Sequence, residues 1–283
     1  MSSATAALSS YAEVRPQRST LAAGLHDVVV LVRRNLLHIR REPLQLSDVT
    51  IQPVLFTLLF VYVFGSGVPI HGGSYKDFAI AGLMLLNLTT SAMGTAVGLI
   101  SDLTTGAIDR FSTLPMWRAA VLVGRSIADL LSAALCSAIV AVTGLAIGWR
   151  PATGVGSILA GFGVALLFAY ALAWACACLG IVSKGPESAQ GVGLIILFPL
   201  AIVSNAMVPT AGMPGWLQAI ANWNPVSAVT AAVRHLFGNP NPSASISAWP
   251  MQHPVEAALA WAVLILAVFA PLAVHLFRRK TVG

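Results

Sequence analysis

The chain has 283 residues, of which 57% are hydrophobic and 9% charged, and a formal net charge of +6. Soluble domains run to about 45–50% apolar and about 25% charged, so this composition excludes water as the main solvent and implies a bilayer. The basic residues sit beside apolar runs and not on one polar face, which argues against a nucleic-acid partner and for the Lys/Arg bias of membrane proteins.

Residues 1–20 are rich in Ser and Ala, with basic residues only at Arg15 and Arg18 and no apolar stretch before a cleavage-type site. They are expected to form a disordered cytoplasmic tail without a secretory signal. Over residues 21–44, Leu25, Val28, Val29, Val32, Leu36 and Ile39 recur at helical spacing, interspersed with Arg33, Arg34, Arg40 and Arg41. That pattern predicts an amphipathic helix in the membrane interface, ended by Pro43; packing of the same helix against protein is the alternative.

Six runs are long enough to cross hydrocarbon: 49–68, 78–100, 121–147, 156–182, 191–208 and 255–276. They are apolar all round, which predicts helices and not the alternating strands of a barrel. The expected fold is therefore an all-α integral membrane protein, with residues 21–283 as a single transmembrane domain. Residues 209–254 contain two half-length apolar stretches, 216–223 and 226–237, expected as short helices that dip into the membrane or lie on it. With the N-terminus inside, thirteen of the sixteen Lys and Arg residues face the cytoplasm, leaving Lys76, Arg150 and Arg234 outside. Both termini are then cytoplasmic, and the plasma membrane is the expected location.

No G-x-x-x-x-G-K-[ST] phosphate loop is present, so ATP hydrolysis by that route is not expected here. Cys136, Cys176 and Cys178 all lie in apolar runs, and the lone C-x-C has no second ligand pair, which reads as helix packing and not as zinc. No metal site and no catalytic residue are proposed. Asp129, about two turns into the third span, follows Arg125 at i, i+4 and is expected to pair with it. Asn87, Thr89, Thr90 and Ser91 in the second span, and Ser204 and Asn205 in the fifth, either line a substrate path or bond between helices. Phe168, Trp174 and Phe198 face either a cavity or lipid. Gly94-x-x-x-Gly98 and Gly144-x-x-x-Gly148 permit close helix approach.

The loop between the second and third spans carries the most information. Gly106 can break the helix leaving the membrane. Residues 107–113 can then form a short helix with Ile108, Phe111 and Leu114 on one face, Asp109 and Arg110 on another, and Pro115 beyond. Such a helix either docks on a partner or lies on the membrane.

This loop resembles the first cytoplasmic loop of ABC-2 type exporter permeases, above all the daunorubicin-resistance branch. The matching elements are Asp102-Leu103, Gly106, Asp109-Arg110-Phe111, Leu114-Pro115-Met116 and Gly124-Arg125. A second match is Asn224-Pro225-Val226-Ser227, followed by Arg234 and Gly238, before the last span. The resemblance implies a pore between two permeases, identical or paralogous, and two separate cytoplasmic ATPase subunits that hold the ATP and Mg. It also implies a coupling role for Asp102, Gly106, Ile108, Asp109, Arg110, Phe111, Leu114 and Pro115. Many relatives carry a glutamate two residues before the loop glycine; Thr104 stands there here, leaving Asp102 to compensate.

The function implied is outward movement of an amphipathic drug, lipid or glycolipid, with a glycan polymer as the alternative cargo. An ion-driven transporter would want ionisable groups at span centres, and the six runs carry none there. A membrane-embedded lipid-modifying enzyme would need an acid–base set, which His71, His235 and His253 do not supply from sequence.

Overall fold

The computed structural model describes residues 43–65, 67–70, 73–105 and 120–282. The expected tail, the interfacial helix with Arg33, Arg34, Arg40 and Arg41, and the loop from Gly106 to Pro115 lie outside those residues.

Among the described residues the fold is all-helical, with no strand. Helix α1 is Pro43–Phe64, α2 Tyr75–Ser91, α3 Met93–Thr104, α4 Ala120–Ala146 and α5 Val155–Val182. Then come α6 Pro186–Ile202, α7 Gly215–Trp223, α8 Pro225–Phe237, α9 Trp249–Gln252 and α10 Pro254–Val282. Four stretches are long and apolar enough to cross a membrane: Tyr75–Thr104, Val123–Ala146, Val155–Val182 and Pro254–Lys280. The first and fifth expected spans appear as shorter apolar helices, Val49–Phe64 and Pro186–Ile202.

Of the four long apolar stretches, Tyr75–Thr104 and Val155–Val182 are the most enclosed. Along α2, Phe78, Ala79, Ala81, Leu83 and Leu85 are fully buried. They point in all directions around the helix, as the all-round apolarity of the sequence requires. Helix α5 buries Ala165, Phe168, Ala171, Trp174 and Cys176 against it and against α10. Helices α1, α6 and α10 instead turn aliphatic and aromatic faces outward, among them Leu55, Tyr62, Ile195 and Val263. Such faces fit lipid or another apolar partner.

The helix termini gather at two ends of the molecule, and α5 and α10 run parallel, their last turns meeting at one of them. At one end the start of α2, the end of α4, the start of α5 and helix α8 meet: Tyr75 donates its hydroxyl to Met207 O at 3.3 Å. Trp149 Nε1 donates to Asn239 Oδ1 at 3.1 Å. At the other end Lys280 Nζ in the last turn of α10 donates to Ile181 O at 2.5 Å, serving the carbonyl-rich terminus of α5.

Small residues allow the closest approaches. A Cβ on Gly82 would stand 1.7 Å from Ala206 O, so α2 touches backbone there. A Cβ on Gly180 would meet Ala96 O at 2.5 Å, which sets α5 against α3. Cys136, Cys176 and Cys178 are free and buried in these packing layers, as their sequence context suggests.

Candidate functional site

The expected second span lies within one 30-residue apolar stretch, Tyr75–Thr104, divided at Ala92 into α2 and α3. Its middle reads Asn87-Leu88-Thr89-Thr90-Ser91, and the side chains of Asn87, Thr90 and Ser91 turn back on their own backbone. Asn87 Nδ2 donates to Leu83 O at 2.9 Å, Thr90 Oγ1 to Leu86 O at 3.0 Å and Ser91 Oγ to Leu88 O at 3.0 Å. Hydroxyls that compete for the i−3 and i−4 carbonyls loosen the ladder and bend a helix. The backbone bond Ala92 N–H to Leu88 O has lengthened to 3.3 Å, and Ala92 separates α2 from α3. The break lies near the middle of a 30-residue span and leaves Thr90, Ser91 and Gly94 exposed.

Next to it a charged cluster joins α3 to α4. Arg125 donates from Nη2 to Gly94 O at 3.0 Å. Its Nε lies 3.4 Å from Asp129 Oδ2, the i, i+4 pair expected from sequence, and its Nη1 lies 3.7 Å from Asp102 Oδ2. Thr95 Oγ1 donates to Asp129 Oδ2 at 2.6 Å. Gly98 makes room for the guanidinium, since a Cβ there would stand 1.7 Å from Nη2. The Gly94-x-x-x-Gly98 pattern therefore seats a cation where helix-on-helix contact was expected; a Cβ on Gly94 would meet nothing within 4 Å. Gly144 does support close packing, with Ile80 Cδ1 2.9 Å from its ideal Cβ.

A crevice of about 10 Å³ opens beside this cluster, between Ser91, Ala92, Thr95, Asp129 and Tyr170. It has room for one water and not for a drug-sized molecule, so this conformation is closed at that point.

The second charged residue of interest is Arg234, in the short helix expected over 226–237 and found as α8. It is fully buried. Its Nε donates to Phe78 O at 3.0 Å, Nη1 to Asn205 O at 2.9 Å and Nη2 to Ala206 O at 2.7 Å, with Cζ 3.6 Å above the Phe78 ring. One guanidinium thus ties α2, α8 and the segment after α6, as its rigid fork of donors permits. Asn224 completes the arrangement. Its Oδ1 accepts from Val226 N–H at 2.8 Å as the N-cap of α8, and its Nδ2 donates to Leu200 O at 2.7 Å. Pro225 occupies the first turn, where its missing N–H costs nothing. Ser227 Oγ accepts from Asn205 N–H at 3.0 Å. At the other end of α8, Gly238 adopts φ 67°, and Asn239 N–H returns to Arg234 O at 2.9 Å to close the helix. The Asn224–Gly238 motif is thus a built joint between helices.

The residues named for a substrate path do not converge. Asn87, Phe168 and Asn205 are buried in the helix core. Asn205 Nδ2 is spent on Ser243 Oγ at 3.1 Å. Phe198 is 53% exposed on the outward face of α6. Thr90 alone of the five sits on the exposed face at the helix break. The sequence expected Ser91 on a path or between helices and Arg125 paired with Asp129, but it did not signal the interruption at Ala92 or the seat that Gly98 gives the guanidinium.

The chain matches the model of the ABC-2 type transporter family over residues 26–237. It belongs to that family. It is 31% identical to the daunorubicin resistance ABC transporter permease protein DrrB1 of Streptomyces coeruleorubidus, over 94% of this chain and 90% of that one. It is 25% identical to the probable doxorubicin resistance ABC transporter permease protein DrrC of Mycobacterium tuberculosis, over 95% of this chain and 96% of that one. A more distant relative is the putative transport permease ycf38 of Porphyra purpurea, 24% identical over 76% of this chain and 75% of that one. As an ABC-2 member the chain is a multi-pass membrane transport subunit, which agrees with its apolar helices.

Proposed function

We propose that this ABC-2 subunit is the permease of an ATP-driven exporter that moves an amphipathic drug, lipid or glycolipid outward across the plasma membrane. What carries this reading is its likeness, along nearly its whole length, to permeases named for daunorubicin and doxorubicin resistance. In this reading residues 1–20 are the cytoplasmic tail and 21–44 the interfacial helix, and α1 and α6 also cross the membrane, giving six crossings and two cytoplasmic termini. Residues 209–254 form re-entrant structure at the outer face, with Asn224, Pro225, Ser227 and Arg234 holding it to the spans.

Two copies of the permease, or this chain and a paralogue, enclose the path. The face carrying Thr90, Ser91 and Gly94 belongs on that path, because polar side chains at membrane depth favour a cavity or a partner over lipid. ATP and Mg sit on partner ATPase subunits, gripped through Asp102, Gly106, Ile108, Asp109, Arg110, Phe111, Leu114 and Pro115. Closure of the ATPase pair on ATP then biases the permease between inward and outward states through that contact.

The test is Phe111→Asp. A charge on the apolar face of the loop is expected to release the ATPase during co-purification and to abolish doxorubicin efflux from cells, with membrane insertion unchanged. Normal efflux from that variant would refute the coupling role.

A further inference from the structure

The chain carries no Asp, Glu, Lys, Arg or His from residue 188 to residue 233. Helix α7 lies within that stretch. Its nine residues rise only about 13 Å, too little to cross about 30 Å of hydrocarbon. Trp216, Ile220 and Trp223 stand at i, i+4 and i+7 on one face, 69%, 55% and 57% exposed. The opposite face is fixed. Ala221 and Asn222 are buried, and Asn222 Oδ1 accepts from Thr210 Oγ1 at 3.1 Å. We propose that the exposed face is an interfacial anchor: Trp216, Ile220 and Trp223 sit among the headgroups and upper acyl chains of the outer-leaflet phospholipid, with α7 lying along the membrane surface. This names the partner of the outer segment and rests on the reading above, in which α6 crosses the membrane and residues 209–254 lie at its outer face.

The depth of α7 is set by its C-terminal end. Asn224, the residue after Trp223, donates to Leu200 O at 2.7 Å and to Val203 O, in the last turn of α6 and just past it. Trp223 is therefore held level with the end of an apolar helix that spans the membrane in this reading. Exposed apolar surface also runs without interruption of kind from α6 to α10. Ile202 and Val208 lead from α6 toward α7, Trp249 is exposed on α9, which packs on α7, and Leu259 and Val263 face outward on α10. Two indoles and an isoleucine on that surface suit lipid and not water. Tryptophan suits the boundary in particular, because its ring favours acyl chains while its N–H seeks an acceptor. Among the described residues neither Trp216 Nε1 nor Trp223 Nε1 has a protein acceptor. Phospholipid ester carbonyls and phosphates supply one. With no charge on α7, the contact requires no anionic lipid.

The native cysteines are buried, so Ala219→Cys, exposed on the same face of α7, places one NBD fluorophore there with both tryptophans intact. The full chain is reconstituted in phosphatidylcholine vesicles that carry a nitroxide either high or low on the acyl chain. Blue-shifted emission, quenched more by the shallow nitroxide than by the deep one, is the expected result. Water-like emission that neither nitroxide quenches would overturn the anchor. Blue-shifted emission that neither quenches would also overturn it, since that is the signature of a second copy or another protein over the face. Stronger quenching by the deep nitroxide would mean a helix dipping into the hydrocarbon core, and would reject the interfacial position. Adding Trp216→Gln and Trp223→Gln to the labelled chain is expected to remove at least about half of the shallow quenching; unchanged quenching would refute the anchoring role of the two indoles. Failure of the topology beneath this reading has a different signature. Impermeant maleimide would then reach Lys184→Cys on intact cells, while the depth of the probe, which does not depend on which face is outer, would stay shallow.

Discussion

Arg234 shows how an apolar fold accommodates a charge. A lone cation deep in a helix bundle is costly, yet here each of three nitrogen atoms meets a carbonyl and the guanidinium lies flat on Phe78. Those carbonyls belong to Phe78, Asn205 and Ala206, and the latter two lie past the last turn of α6, where helical partners run out. Removing the cation leaves buried acceptors unpaired, at about 1–3 kcal/mol each. Arg234→Met is therefore expected to destabilise the protein by about 3 kcal/mol or more, read as a lower midpoint for thermal unfolding in detergent. Arg234→Lys should rescue little, since a single ammonium cannot reach three carbonyls in different directions. An unchanged midpoint for either variant would show that water or lipid headgroups replace the guanidinium.

At the scale of elements, helix α8 is built as a joint. Its sequence announces both ends: Asn224-Pro225 is a cap followed by a first-turn proline, and Gly238 is a left-handed stop. What the cap side chain does besides was not legible, because Leu200 lies 24 residues away and only packing brings its carbonyl to Asn224. Asn224→Asp separates the two jobs. The carboxylate still accepts from Val226 N–H but donates nothing to Leu200 O or Val203 O. It should lose about 1–3 kcal/mol for the unpaired carbonyls, while Asn224→Ala also loses about 1 kcal/mol for the cap. Unfolding midpoints in the order wild type, Asp, Ala would bear this out; equal midpoints for Asp and wild type would deny the contact to α6. The second span teaches a related lesson. Its hydroxyl-rich centre was visible in the sequence as polar residues at membrane depth, and local competition for carbonyls explains the break at Ala92. Gly94-x-x-x-Gly98 permits the approach of another helix, as expected, but what fills the space at Gly98 is a side chain, Arg125 from α4.

For the whole molecule the open quantity is its path through the bilayer. The cysteines are buried, so a single introduced thiol stands out against a low background. Lys76→Cys and Arg150→Cys lie at the Tyr75 end of the bundle, while Lys184→Cys lies at the other end, just past α5. With a membrane-impermeant maleimide on intact cells, the first two are expected to label and Lys184→Cys only after lysis. Labelling of all three from one side would overturn the orientation and the number of crossings together.

Composition and the run of apolar residues determined that the chain is a helical membrane protein, because in hydrocarbon a backbone must satisfy itself within its own helix. Caps and breakers set the ends of α8 by short-range geometry. Which polar residues meet was decided only by the tertiary structure. Arg234, placed by sequence in a short helix of the outer segment, became the buried tie of three segments, and Asn87, Phe168 and Asn205 went into the core. Periodicity tells a residue which face of its helix it occupies, but not which neighbour that face will find, and in a bundle where nearly every face is apolar the neighbour decides the role.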